Sequence, residues 1–398
     1  MQKIASKVDL ITEASLADEI TFSAPLTEQL DNPQAILLTG STGFLGVCLL
    51  NELLLKTSAK IYCLVRAADD NAGLERITEQ LHFYQFWQPE WTQRIIPVIG
   101  DLSKPALDLG ESQFSQLAEK IDIIYHNGAY VNSMRPYASL KPSNVLGTKE
   151  VLYLASLVKT KPIHFISTLA VYFSPVHHEQ IITETVQPSD SLQGGYKQSK
   201  WVAEQLILRA ARRGLPCNVY RPGRIMGHSE TGITGNMTDL LTTVLKGCIE
   251  IGQIPAKDNM VNIVPVDYVS RAIVDLAQQQ RFGETFHLIN PKSVAWLDLV
   301  EMVRNVGYTL EAKDYDDWSE SLKNFAAQKS NDAVYSPLLL LLRSSSAFFA
   351  KKPKFDNELT QSKLKDKNIV CPEIDQILIN RYFKHFQNTQ HIAPPESV

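Results

Sequence analysis

Ala35-Ile36-Leu37-Leu38-Thr39-Gly40-Ser41-Thr42-Gly43-Phe44-Leu45-Gly46 decides the fold of this chain. The apolar run that opens it reads as a buried strand of a parallel sheet, and the three glycines that close it read as a phosphate cradle. Leu45, Cys48, Leu49 and Leu53 then recur at offsets 0, 3, 4 and 8, the stripe of a helix packed on one face of a sheet. Gly40 permits the sharp turn, Gly43 lets backbone approach a pyrophosphate, and Gly46 lets helix and sheet pack closely. The helix points its positive end at the same place. Gly40, Thr42, Gly43, Phe44, Leu45 and Gly46 are therefore the expected contacts of a dinucleotide.

Outward from this turn, apolar runs alternate with helical patterns. The runs are Lys60 to Val65, Arg94 to Ile99, Ile121 to His126, Ile163 to Thr168 and Cys217 to Arg221. A helix is expected over Asp267 to Gln280 and a returning strand over Glu284 to Ile289. The alternation predicts an α/β fold with a Rossmann-type, doubly wound parallel sheet. Residues 1–33 read as a polar lead-in lying on the surface. Residues 34–289 read as the dinucleotide-binding domain, with 224–262 contributing to the substrate side, and 290–398 as a smaller, mostly helical substrate subdomain.

The bulk numbers exclude several classes. A chain of 398 residues with 44% hydrophobic content supports a packed core, and a net charge of −4 gives no basic field for nucleic acid. The five cysteines stand singly, without the paired spacing of zinc sites, so no metal is expected and the chain reads as reduced and cytoplasmic. Leu338 to Leu342 falls far short of the ~20 apolar residues a bilayer span needs. It reads as core packing or as the wall of an acyl channel.

About twenty residues past Gly46, the second strand ends on Arg66, where an NAD-preferring protein would carry an acidic residue for the ribose hydroxyls. Arginine there favours a 2′-phosphate through a charge-assisted fork, with Arg76 on the next helix as a second contact, so NADPH is the expected cofactor. Asp101 and Leu102 follow the third strand, where a carboxylate can accept from the adenine amine. Asn127, Gly128 and Ala129 follow the fourth, leaving room for backbone beside the cofactor's ribose.

Tyr196 and Lys200 lie one helical turn apart on one face. An ammonium beside a phenol lowers its pKa, and the tyrosine can then pass a proton to an oxygen that gains charge as hydride arrives. Thr168, with Ser167 second, ends the preceding strand and offers a hydroxyl to the same oxygen. Thr168, Tyr196 and Lys200 are the expected catalytic group, with Tyr196 and Lys200 also touching the cofactor.

These residues resemble the extended short-chain dehydrogenase/reductases. Within them the chain is similar to the thioester reductase domains that terminate nonribosomal peptide and polyketide assembly lines and carboxylic acid reductases. The resemblance runs from about Leu37 to Phe386. Beyond the glycine turn and the Tyr/Lys pair, it rests on Gly100-Asp101-Leu102-Ser103, His126-Asn127-Gly128-Ala129, Asn144-Val145-Leu146-Gly147-Thr148, Tyr220-Arg221-Pro222-Gly223-Arg224-Ile225, Lys246-Gly247-Cys248 and Val264-Pro265-Val266-Asp267-Tyr268-Val269. It implies that Pro222 and Gly223 border the cofactor, and that Asn144 supports the active-site backbone and a relay water unless it is only a helix cap.

The resemblance further implies reductive release of an acyl or peptidyl thioester, held on the phosphopantetheine arm of a carrier protein, to an aldehyde, with a second round giving an alcohol. Such carriers are acidic, so Arg209, Arg212 and Arg213, and Lys351, Lys352 and Lys354, are candidate docking residues. With only a short lead-in and no carrier motif, the chain reads as a standalone reductase acting in trans or as an excised terminal domain. A fatty acyl-CoA reductase or a sugar-nucleotide epimerase or dehydrogenase would share much of the pattern. The intact Tyr196 and Lys200 disfavour a non-enzymatic NADP sensor.

Overall fold

The computed structural model describes residues 8–27, 30–257, 259–329 and 353–395. Leu338 to Leu342, Lys351 and Lys352 lie outside the described residues. Seven strands among them form the central sheet: β1 (Ala35–Thr39), β2 (Lys60–Val65), β3 (Ile95–Ile99), β4 (Ile123–His126), β5 (Ile163–Ile166), β6 (Cys217–Pro222) and β7 (Thr285–Leu288). Their order is β3-β2-β1-β4-β5-β6-β7, and every pairing is parallel. Because β1 pairs with both β2 and β4, the direction of winding reverses there, and a crevice opens at the carboxyl ends of β1 and β4. β1, β4 and β5 are buried at every residue, as befits the middle strands of a parallel sheet covered on both faces.

The helices that matter for the site are α1 (Phe44–Lys56), α2 (Asp70–Phe83), α3 (Glu111–Lys120), α4 (Tyr137–Lys141), α5 (Gly147–Ser156) and α6 (Gly195–Arg212). A π-helical turn, Pro142–Leu146, joins α4 to α5, with the Gly147 N–H reaching back to the Pro142 carbonyl. Pro142 lacks an N–H of its own, so the regular ladder is interrupted at this point and the wider turn takes up the slack.

The chain divides into two compact units. The first comprises 1–222, 270–288 and 353–369, and the second 223–269, 289–352 and 370–398. The division is interleaved: 223–269 groups with 289–352, where the sequence assigns 224–262 to the substrate side, but 353–369 falls in the first unit and not in the 290–398 subdomain expected. Residues 353–369 rejoin the first unit because Lys354–Phe355 pairs in parallel with Ile181–Ile182. The helix Glu358–Leu364 then starts on the Glu184 carboxylate, which accepts from the Leu359 and Thr360 N–H groups. The second unit has its own core, in which Trp296 and Trp318 pack with Leu245, Val300, Leu322 and Phe383.

The lead-in is tied down by α6. Arg213 donates to the carbonyls of Leu16, Ala17 and Ile20, and Arg209 to that of Ile11. Two of the three arginines read as docking residues are therefore spent within the chain. Among the described residues no helix is long and apolar enough to cross a membrane, and no group of three or more His, Cys, Asp or Glu is placed to hold a metal ion. All five cysteines are buried, and none is in a disulfide.

Candidate active site

The turn after β1 is made by backbone. Gly40 has φ +72°, a left-handed conformation that L side chains resist. A Cβ on Gly46 would stand 1.8 Å from the Gly40 carbonyl oxygen, so the first turn of α1 can lie on the glycine loop only without one. The Gly43 N–H closes the loop on the Gly40 carbonyl at 3.1 Å, and Gly43 itself caps α1 from an extended conformation. Thr42 and Phe44 are half-buried, Leu45 is buried, and the Phe44 ring stacks on Tyr84 with centroids 6.2 Å apart. This cradle, which a Cβ would fill, has the shape and the N–H donors that a pyrophosphate requires.

Neighbouring strand ends close around it. Asn127 Nδ2 donates to the Gly40 carbonyl at 3.3 Å, and the Gly128 N–H donates to Thr39 Oγ1 at 2.8 Å. Ala129 follows, half-buried. Past β2, Arg66 and Arg76 are both exposed, and Arg76 Nη1 donates to the Arg66 carbonyl at 2.7 Å, which brings two guanidinium side chains to one strand end. Burial would raise the Asp101 carboxyl. The Ser103 N–H and hydroxyl and the Arg66 charge outweigh it and hold Asp101 below the usual carboxylate range, as an ionised acceptor. Leu102, beside it, is half-buried.

A buried hydrogen-bond chain runs from β1 toward α6. Thr39 Oγ1 lies 2.8 Å from His126 Nδ1, His126 Nε2 lies 3.0 Å from Thr148 Oγ1, and the Thr148 hydroxyl donates to the Asn144 carbonyl at 2.7 Å. Thr148 spends its proton on that carbonyl, so Nε2 must be the protonated nitrogen of His126 and Nδ1 the acceptor. Burial first, and the Lys200 charge second, push His126 down to about 3, in keeping with a neutral ring. The buried Asn144 then bridges the two halves of the site. Its Oδ1 accepts from the Tyr130 N–H at 2.6 Å, and its Nδ2 donates to the Tyr130 carbonyl at 3.1 Å and to Ser199 Oγ at 2.9 Å. Asn144 thus ties the loop after β4 to the helix bearing Tyr196.

α6 starts at Gly195, where a Cβ would stand 2.4 Å from the Arg135 carbonyl and 2.5 Å from the Tyr137 nitrogen. The missing side chain lets the helix dock against this segment and fixes where Tyr196 begins. The Thr168 hydroxyl acts on the Tyr196 phenol, pulling its pKa down against burial. Lys200 Nζ donates to the Ile166 carbonyl at 2.7 Å and lies 4.4 Å from the centroid of the Phe165 ring. Burial pushes Lys200 down to about 8, against the pull of the Glu204 carboxylate.

Two expectations change here. Burial pushes the Tyr196 phenol up to about 12, and what opposes the rise is the Thr168 hydroxyl rather than Lys200, whose ammonium is turned to the Ile166 carbonyl. Ser167 is excluded as the alternative to Thr168, because its hydroxyl donates to the buried Glu204 at 2.5 Å. β5 also ends two residues earlier than expected, since Thr168 leaves the strand to cap the Ala170 N–H. Pro222 closes β6 in the first unit, and Gly223 opens the second.

Sequence reasoning gave no role to Thr39, His126, Thr148, Ser199 or Glu204. Most of their side-chain partners lie far away in the chain, where no spacing points to them.

The NAD-binding family model described as "Male sterility protein" matches residues 38–273. The chain is 39% identical over 396 residues to a linear gramicidin synthase of Brevibacillus parabrevis, covering 98% of this chain and 8% of that protein. It is 34% identical over 373 residues to the L-2-aminoadipate reductase large subunit of Candida glabrata, covering 87% of this chain and 27% of that one. The chain thus spans about a quarter or less of these curated relatives. Among solved structures, the terminal R domain from the myxalamid PKS-NRPS biosynthetic pathway superposes with a TM-score of 0.91 at 40% identity, covering 97% of this chain and 99% of that domain. The chain belongs to the NAD-binding Male sterility protein family, in its branch of terminal reductase domains, and is an oxidoreductase of the short-chain dehydrogenase/reductase type.

Proposed function

We propose that this chain uses NADPH to release an acyl or peptidyl group from a carrier-bound phosphopantetheine thioester as an aldehyde and a free thiol. What supports the reading is Tyr196 and Lys200 one turn apart on α6, with the Lys200 ammonium held on the Ile166 carbonyl two residues before Thr168, at the sheet edge that also bears the glycine cradle. When bound, NADPH supplies a hydride for the thioester carbonyl carbon. Thr168 and Tyr196 hold the carbonyl oxygen as it gains charge. A phenol with its pKa pushed up to about 12 keeps its proton at neutral pH, the state a donor needs, and Tyr196 passes that proton to the oxygen. The resulting hemithioacetal loses its thiol to leave the aldehyde, and a second round would give an alcohol.

Lys200, one turn along α6 from Tyr196, is proposed to hold the nicotinamide ribose, with Asn144, Asn127, Gly128, Ala129, Pro222 and Gly223 bordering the cofactor. Arg66 and Arg76, side by side past β2, support NADPH over NADH through the 2′-phosphate. Five buried cysteines outside any disulfide support a reducing, cytoplasmic setting. Residues 290–398 are proposed to serve the substrate, and Arg212 and Lys354, both exposed, remain candidates for meeting an acidic carrier.

The test is NADPH oxidation with one acyl group presented on a carrier protein, on pantetheine and on CoA, with product identification. Aldehyde formed fastest from the carrier supports the reading. Equal or faster turnover of the CoA ester would favour an acyl-CoA reductase. Activity confined to sugar nucleotides or secondary alcohols would overturn the thioester assignment.

A further inference from the structure

Tyr196, Lys200 and Glu204 stand at offsets 0, 4 and 8 on α6, one stripe of the helix. The stripe meets three consecutive residues at the end of β5. Lys200 takes the Ile166 carbonyl, Glu204 takes the Ser167 hydroxyl, and the Thr168 hydroxyl lowers the Tyr196 phenol against its burial. The middle contact is fully buried and charged. Glu204 Oε2 accepts from Ser167 Oγ at 2.5 Å and from Arg221 Nε at 3.2 Å, and Oε1 accepts from Arg221 Nη2 at 2.6 Å. Neither side chain of the Glu204–Arg221 pair has any solvent exposure.

Arg221 is anchored in turn. Its Nη1 donates to the Tyr172 hydroxyl at 2.5 Å, and that hydroxyl donates to the Val186 carbonyl. The Ser167 N–H donates to the carbonyl of Tyr220, the residue before Arg221, at 2.7 Å. Ser167 is thus gripped from both sides, by a main-chain bond from β6 and by a carboxylate from α6. A residue held this way cannot rotate, and Thr168 is bonded directly to it.

We propose that Glu204 and Ser167 are positioning residues that act on the reaction through Thr168. The proposal rests on the reading that Thr168 and Tyr196 hold the substrate oxygen. Ser167 cannot serve that oxygen itself, since its one proton goes to Glu204. What it supplies is the register of the strand end against the helix, so that the hydroxyls of Thr168 and Tyr196 converge on one point. A group displaced by a fraction of an ångström loses transition-state contact while substrate and cofactor binding persist.

The experiment is a double-mutant cycle on the single-turnover rate of NADPH oxidation with an acyl thioester, using Ser167→Ala, Thr168→Val and the pair. Ser167→Ala leaves the buried Glu204–Arg221 pair in place, so folding is retained where Glu204→Gln would strand a buried arginine. The expected result is a rate about tenfold lower for Ser167→Ala, with the NADPH Kd and the Tm close to wild type, and less than twofold further loss when it is added to Thr168→Val. A Ser167→Ala rate within twofold of wild type, an equal factor in both backgrounds, or a loss that appears in Kd or Tm would each overturn the positioning role. A wild-type rate for Thr168→Val alone would overturn the reading of Thr168 itself, a result distinct from the other three.

Discussion

At the carboxyl end of β1 the working groups are backbone N–H and C=O brought close by missing side chains, whereas at the end of β5 they are side chains held by other side chains. The first arrangement tolerates no added atom: a single Cβ on Gly46 meets the Gly40 oxygen at 1.8 Å. The second depends on side-chain partners, with Glu204 held by Arg221 and Ser167, and Lys200 held by the Ile166 carbonyl, so its groups are set by orientation rather than by empty space. A phosphate cradle binds a fixed charge and needs only shape and dipoles. A proton-donating group must move a proton on demand, so its parts have to be oriented and kept in one ionisation state.

Substitutions on either side probe this contrast. Tyr196→Phe should lower turnover by about 10²- to 10⁴-fold, the range for losing a positioned acid, while NADPH binding measured by fluorescence titration stays near wild type. Comparable losses of turnover and cofactor affinity would mean that Tyr196 belongs to the cradle. Gly46→Ala should do the reverse, weakening NADPH binding severely and destabilising the fold by about 1–3 kcal/mol through overpacking. A thermal melt with and without NADPH reads both, and an unchanged ligand-induced shift would contradict the backbone account. Arg66→Ala should weaken NADPH binding about tenfold, the scale of one charged hydrogen bond, and leave NADH nearly unaffected. An equal loss for both cofactors would remove the 2′-phosphate assignment.

The smallest effect concerns pH. Lys200 has its pKa pushed down to about 8 by burial, so it is a cation below that pH and loses its charge as pH rises through it. kcat/KM, which reports the free enzyme, should therefore fall on the alkaline side of about 8, and Lys200→Arg should move that limb upward by keeping the charge. An alkaline limb that Lys200→Arg leaves in place belongs to another group.

The same contrast explains what could be read from the sequence. The cradle is local: strand, three glycines and helix stripe fall within Ala35 to Leu53, and β1 and β2 have the bounds their apolar runs predict. Tyr196 and Lys200 are local too, one turn apart on one helix. Glu204 finds its partners 37 residues before it in Ser167 and 17 after it in Arg221, a distance over which no periodicity speaks. For the same reason the sequence left Ser167 open as a substitute for Thr168 and set Lys200 against the phenol. The return of 353–369 to the first unit was illegible because it rests on one short strand pairing and a helix start on Glu184. Arg209 and Arg213 looked like a docking patch because a sequence shows charge but not the carbonyls of Ile11 and Leu16 to Ile20 that take it up.

The central claim is that the side chains at the end of β5 direct a hydride from NADPH to a thioester carbonyl. It is tested most directly with NADPH doubly deuterated at the nicotinamide C4 and an acyl thioester on a carrier protein, followed by mass spectrometry of the released product. The account predicts one deuterium at the aldehyde carbon for each NADPH oxidised, and none from Tyr196→Phe within the same time. Product without deuterium, or deuterium incorporated at the wild-type rate by Tyr196→Phe, would contradict it.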